Sequence, residues 1–70
     1  MKLILNGDNF ETLNAGTVRE LLDELKIMPG RVAVEVNLEI VRKTEYENYK
    51  LSEGDKVEIV NFVGGGSKEE

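Results

Sequence analysis

The chain has 70 residues, enough for one small domain, because a second compact unit would leave each half too little chain to enclose a core. With 40% hydrophobic and 33% charged residues it has the composition of a folded domain. Its lack of Cys and His excludes disulfides, thiolate nucleophiles, iron-sulfur clusters, the usual zinc ligand and serine or cysteine catalysis through histidine. A formal charge of −5 repels phosphate backbones and favours a basic protein partner over nucleic acid.

Lys2 to Asn6 is a short apolar run, and Asn6-Gly7-Asp8-Asn9 follows it before strand-like residues resume at Phe10, Thr12 and Leu13. Asn-Gly is the favoured pair for a type I′ turn, in which both central residues need positive φ, so the chain is expected to open with a β-hairpin. Thr17-Val18-Arg19-Glu20 matches a capping box. Val18, Leu21, Leu22 and Leu25 then fall at i, i+3, i+4 and i+7, which predicts a helix of about ten residues with Arg19, Asp23, Glu24 and Lys26 turned to water. Pro29-Gly30 is expected to stop it.

From Arg31 to Asn37 the chain alternates, Val32, Val34 and Val36 on one face and Ala33 and Glu35 on the other, the period of a half-buried strand. Asn37-Leu38-Glu39 reads as a turn and Ile40-Val41 as a short strand. Thr44 to Asn48 is polar, with Tyr46 and Tyr49 placed to cap the core; Glu53-Gly54-Asp55 is another turn, and Lys56 to Val63 is the last strand. Strand, strand, helix, strand, short strand, strand gives one sheet and one helix to cover it. The fold class expected is α+β, a β-grasp with one mixed sheet on a single helix over residues 1–63. Gly64-Gly65-Gly66-Ser67-Lys68-Glu69-Glu70 has no apolar residue to bury and is expected to be a flexible tail over 64–70.

A β-grasp domain whose final strand runs straight into Gly-Gly resembles ubiquitin-like proteins, and it resembles most the ThiS family of bacterial sulfur carriers. The resemblance spans residues 1 to 66. It rests on Leu5-Asn6-Gly7, Ala15-Gly16-Thr17-Val18 with Leu21-Leu22, Val34-Glu35-Val36-Asn37 with Glu39-Ile40-Val41, and Gly54-Asp55-Lys56-Val57-Glu58-Ile59 leading to Phe62-Val63-Gly64-Gly65-Gly66. Family members often carry Asn-Gly-Glu where this chain has Asn37-Leu38-Glu39, and Pro where it has Arg42. A small subunit of molybdopterin synthase is also similar, although usually longer.

The resemblance implies a non-catalytic carrier. A ThiF-like adenylating enzyme would activate the terminal glycine with ATP and magnesium, and a sulfur donor, such as a cysteine desulfurase system, would displace AMP to leave a glycine thiocarboxylate. Thiazole synthase would then take the sulfur for thiamin. Gly64, Gly65 and Gly66 would form the activation tail, Gly66 bearing the sulfur. No cofactor would be bound by this chain, because Gly64-Gly65-Gly66 lacks the helix and the Lys-Ser/Thr pair of a phosphate loop. Ser67-Lys68-Glu69-Glu70 follows Gly66, so its carboxyl lies in a peptide bond and a tail-processing protease is implied. Alternatives are a molybdopterin-type carrier or a ubiquitin-like modifier of protein lysines; an RNA-binding module is disfavoured by charge and by the lack of a basic aromatic surface.

If Val57 and Ile59 face the helix, the two-residue period turns Glu58, Val60 and Phe62 outward, with Ile4 doing the same on the first strand. Ile4, Val60 and Phe62 are therefore the expected partner-binding patch beside the tail. Glu45, Glu47, Glu53 and Asp55 read as a solvated face rather than a metal site, since alternating carboxylates give no fixed oxygen cage. The longest apolar stretch near the start, Leu3-Ile4-Leu5, is far short of a signal peptide or membrane span, so a cytoplasmic monomer is expected.

Overall fold

The structure is a computed structural model that describes residues 1–61. The reading of Phe62 and Val63 as the end of the last strand, and of 64–70 as a tail, lies outside the described residues. Strands β1 (Lys2–Leu5) and β2 (Asp8–Glu11) form the opening hairpin. They are joined by Asn6 and Gly7 alone, with φ of 49° and 87°, the left-handed pair a two-residue I′ turn requires. Helix α1 (Val18–Glu24) follows, then β3 (Val32–Val36), β4 (Glu39–Val41) and β5 (Lys56–Asn61). The strand order is β2-β1-β5-β3-β4. β1 and β5 pair in parallel and the other neighbours antiparallel, so the sheet is mixed, with the first and last of these strands side by side.

The capping box at the start of α1 is present in both directions: the Glu20 N–H donates to Thr17 Oγ1, and the Thr17 N–H donates to the Glu20 carboxylate. The N–H groups of Val18 and Arg19 donate to the carbonyls of Tyr49 and Tyr46, so the loop before β5 satisfies the helix donors that the cap leaves over. The helix is seven residues long, shorter than its apolar spacing suggests, and Pro29-Gly30 does not stop it. Leu25 is its C-cap, and Lys26 just beyond it has a left-handed φ of 61°. The N–H of Lys26 donates to the Asp23 carbonyl and that of Ile27 to the Leu22 carbonyl, the two bonds of a Schellman motif. Pro29–Arg31 instead form a 3-10 turn leading into β3.

Val18, Leu21 and Leu22 from the helix pack on Leu3, Val32, Val34, Val36, Val41 and Val57 from the sheet. Ala15, Tyr46 and Leu51 close the ends of this core, and Leu5, Phe10, Leu25, Ile27, Tyr49 and Ile59 line its margin. Buried Thr12 is the polar exception. Its hydroxyl accepts from the Ala15 N–H and donates to the Glu24 carboxylate at 2.5 Å. Glu24, expected to face water, therefore turns back to tie the loop after β2 to the helix. Leu13, expected to continue a strand, lies beyond β2 and is 82% exposed.

Candidate functional site

β5 carries the chain towards its glycines, and three devices hold it. On one side the Ile4 N–H donates to the Asp55 carbonyl (2.9 Å) and the Asn6 N–H to the Val57 carbonyl (2.8 Å), the parallel ladder to β1. On the other, five register pairs from Val36↔Val57 to Val32↔Asn61 fix it to β3. The third device is a pair of turn asparagines. The Asn6 side chain accepts from the Ile59 N–H at 2.8 Å and donates to the Ile59 carbonyl at 3.2 Å, extending the ladder past the end of β1. Asn37, in the turn between β3 and β4, accepts from the Lys56 N–H at 3.0 Å and donates to Asp55 Oδ1 at 3.0 Å. Both have positive φ, so each asparagine shapes a turn and grips the central strand.

Of the residues named from the sequence for partner binding, Ile4 and Val60 are described; Phe62, Gly64, Gly65 and Gly66 lie outside the described residues. Val60 is 59% exposed, opposite Ala33. Ile4 is half-buried, between Asn9 and Lys56. The expected single patch of Ile4 with Val60 is not formed. Ile4 pairs with Lys56, four residues before Val60 on β5, which separates the two by roughly 13 Å along the strand, with Glu58 between them on the same face. The reason is register: the parallel pairing of β1 aligns it with the start of β5 rather than the end.

The apolar residue that sequence reasoning missed on this outer face is Ile40, 75% exposed. Val41 is buried, so the same two-residue period turns Ile40 away from the core, a signal present in the sequence. On the helix side, near the end of β5, Leu5, Asn6, Leu25, Ile27, Ile59 and Asn61 line an open groove of about 260 Å³. The acidic residues weighed as a metal site have other work. Glu45 accepts from the Arg42 N–H, Glu47 pairs with Arg19, Glu53 accepts from the Lys2 N–H, and Asp55 accepts from the Ser52 N–H. Among the described residues no group of three or more such side chains could hold a metal, and no helix is long and apolar enough to cross a membrane.

One mixed five-stranded sheet gripping one helix, with the last described strand held centrally and followed in the sequence by a glycine run, defines a ubiquitin-like β-grasp domain. The family model of the ThiS family matches residues 3–66, glycines included, and the chain belongs to that family. It is 40% identical over 65 residues to the sulfur carrier protein ThiS of Bacillus subtilis, covering 91% of this chain and 98% of that one. The crystal structure of the thiamine biosynthesis protein ThiS from Geobacter metallireducens superposes with a TM-score of 0.80 at 35% identity, covering 94% of this chain and 100% of that one. A thiazole synthase of Paramagnetospirillum magneticum is 49% identical over 67 residues; the match covers 96% of this chain but 21% of that protein, so this chain spans about a fifth of that relative's length.

Proposed function

We propose that this chain carries sulfur for thiazole formation in thiamin biosynthesis, with Gly66 as the acceptor. The observation that carries the reading is the extent of the family match, which continues through Gly66 rather than ending at Asn61, the last described residue. A glycine terminus suits the chemistry, since without a Cβ an extended segment threads a narrow cleft and leaves its carbonyl open to a nucleophile. An adenylating enzyme of the ThiF type, using ATP and magnesium, converts the Gly66 carboxylate to an acyl adenylate with loss of pyrophosphate. A sulfur donor of the cysteine desulfurase kind then displaces AMP and leaves the thiocarboxylate. The P. magneticum relative, in which a similar segment sits within a thiazole synthase, supports that enzyme as the sulfur acceptor. The match to the ThiS family favours thiamin over the molybdopterin pathway.

Gly66 acylates the nitrogen of Ser67, so whatever follows it must be removed before a free carboxylate exists. A chain ending at Gly66, given adenylating enzyme, ATP and a sulfur donor, gains the mass of one oxygen exchanged for sulfur, and fragmentation places the change on Gly66. The chain with Ser67 to Glu70 still attached gains none. Equal turnover of both chains refutes Gly66 as the acceptor, and an isopeptide bond to a protein lysine replaces the carrier reading with that of a modifier. Val60 and Phe62 form the apolar contact with the adenylating enzyme in this reading, while Ile4, set apart by register, contacts it separately. Phe62→Asp weakens that binding with little change in stability; unfolding instead identifies Phe62 as core.

A further inference from the structure

Asn6 and Asn37 do the same work at two exposed turns. Each has a left-handed φ, 49° and 53°, and each uses both ends of its side-chain amide, Asn6 on the Ile59 N–H and carbonyl, Asn37 on the Lys56 N–H and the Asp55 carboxylate. They differ in the residue that follows, Gly7 after Asn6 and Leu38 after Asn37, and of the chain's asparagines only Asn6 precedes a glycine. That difference is chemical. The backbone nitrogen after an asparagine can attack the side-chain Cγ, and a side chain on the attacking residue hinders the approach, which glycine does not. Around Gly7 the way is open: a Cβ built there would meet nothing within 4 Å, and among the described residues its N–H donates to no acceptor. What stands against the attack is the clamp, because two hydrogen bonds hold the Asn6 amide against Ile59 and away from the Gly7 nitrogen.

We propose that Asn6 is a deamidation site of this chain, held back by its clamp on Ile59, and that its conversion releases the end of β5. When the clamp opens, the Gly7 nitrogen loses its proton to solvent and bonds to Asn6 Cγ; the Cγ–Nδ2 bond breaks and ammonia leaves, taking a proton from water. Water then opens the cyclic imide at either carbonyl. Breaking the new Cγ–N bond gives aspartate, and breaking the original peptide bond gives isoaspartate, in which the chain runs on through the side chain. In both products one water has replaced one ammonia and a carboxylate has replaced the amide. The carboxylate has no N–H to give the Ile59 carbonyl, and two oxygens now face each other where a donor met an acceptor. The isoaspartyl link also adds a carbon to the backbone of a two-residue turn, whose length sets the β1-β2 register.

The test incubates the full chain at mildly alkaline pH, with and without guanidinium, and follows it by mass spectrometry with fragmentation. The folded chain is expected to exchange NH for O in mass at Asn6 while Asn37 stays intact, and guanidinium to speed the change at Asn6 by at least about fivefold, since it abolishes the clamp. The product carries an added negative charge and is separated by anion exchange. Its Ile59 amide is expected to exchange hydrogen at least about fivefold faster than in the unmodified chain, with a lower unfolding midpoint. Asn6 changing no faster than Asn37 overturns the site. Equal rates at Asn6 in the folded and denatured chain overturn the protection by the clamp, and a modified chain with unaltered Ile59 exchange and midpoint overturns the release of β5.

Discussion

Asn6 and Asn37 illustrate how a 70-residue chain makes one side chain serve two purposes. Each adopts a positive φ that a tight turn needs, and each hydrogen bonds to β5. Asn6→Gly keeps the turn and loses both bonds to Ile59, so chemical denaturation should show a loss of about 1–2 kcal/mol; a hairpin role alone would leave stability nearly unchanged. Lys26 is the opposite case, a residue with no side-chain reason for its left-handed φ. Lys26→Gly should stabilise the fold by about 0.5–1 kcal/mol, seen as a shift in denaturation midpoint at constant slope. Glu24 couples stability to acid. Hydrogen bonds from the Thr12 hydroxyl and the Leu13 N–H hold its carboxyl below the ordinary value of 4.5, against a smaller opposing effect of burial. A depressed folded pKa means the stabilisation is present above 4.5 and is lost as pH falls through the lower folded value. Glu24→Gln should flatten this part of an acid titration of stability, and Thr12→Val should flatten it in the same direction.

The helix is held at both ends, and the two ends differ in how openly the sequence announces them. Thr17 and Glu20 form a box that depends on residue type and spacing, so the start could be read from four letters. Thr17→Ala should cost about 1 kcal/mol in equilibrium denaturation. The end depends on Lys26 taking a conformation that any Gly would have advertised and Lys does not, which is why the first visible breaker, Pro29-Gly30, stands beyond the true terminus. Both tight turns are legible, Asn6-Gly7 down to its type and Asn37-Leu38 by its position, whereas the left-handed φ of Leu38 is not announced by its residue type. Strand faces followed from alternation throughout, including Val32, Val34 and Val36 in the core. Register did not, because it depends on which strands become neighbours, and that is why Ile4 and Val60 were expected together and lie apart. Tyr46 was placed correctly as a cap on the core. Its hydroxyl donates to the Val32 carbonyl at a long 3.4 Å, so Tyr46→Phe should cost about 0.5 kcal/mol, at the low end for a hydrogen bond.

The domain as a whole has little reserve. A chain of this size buries roughly 60% of the surface its unfolded form exposes and keeps only a few kcal/mol of net stability. Leu21 and Leu22 are fully buried, and losing either side chain to Ala removes about 2–5 kcal/mol, which is comparable to that total. Leu21→Ala should therefore leave the chain largely unfolded at 37 °C by circular dichroism, whereas changes at Leu13 or Ile40, both on the surface, should not.

The side-by-side, parallel placement of β1 and β5 also sets how the molecule bears mechanical load. The chain enters at one end of this pair and leaves β5 at the other, so a pull between Met1 and Asn61 slides the two strands past each other. The bonds of Ile4 to Asp55, Asn6 to Val57 and Asn6 to Ile59 then share the force and must fail together. A pull that parts β3 from β4 peels their bonds one after another. Tension applied between Met1 and the C-terminal side of β5 loads these bonds in shear, and the fold should hold against force that would open its outer hairpin.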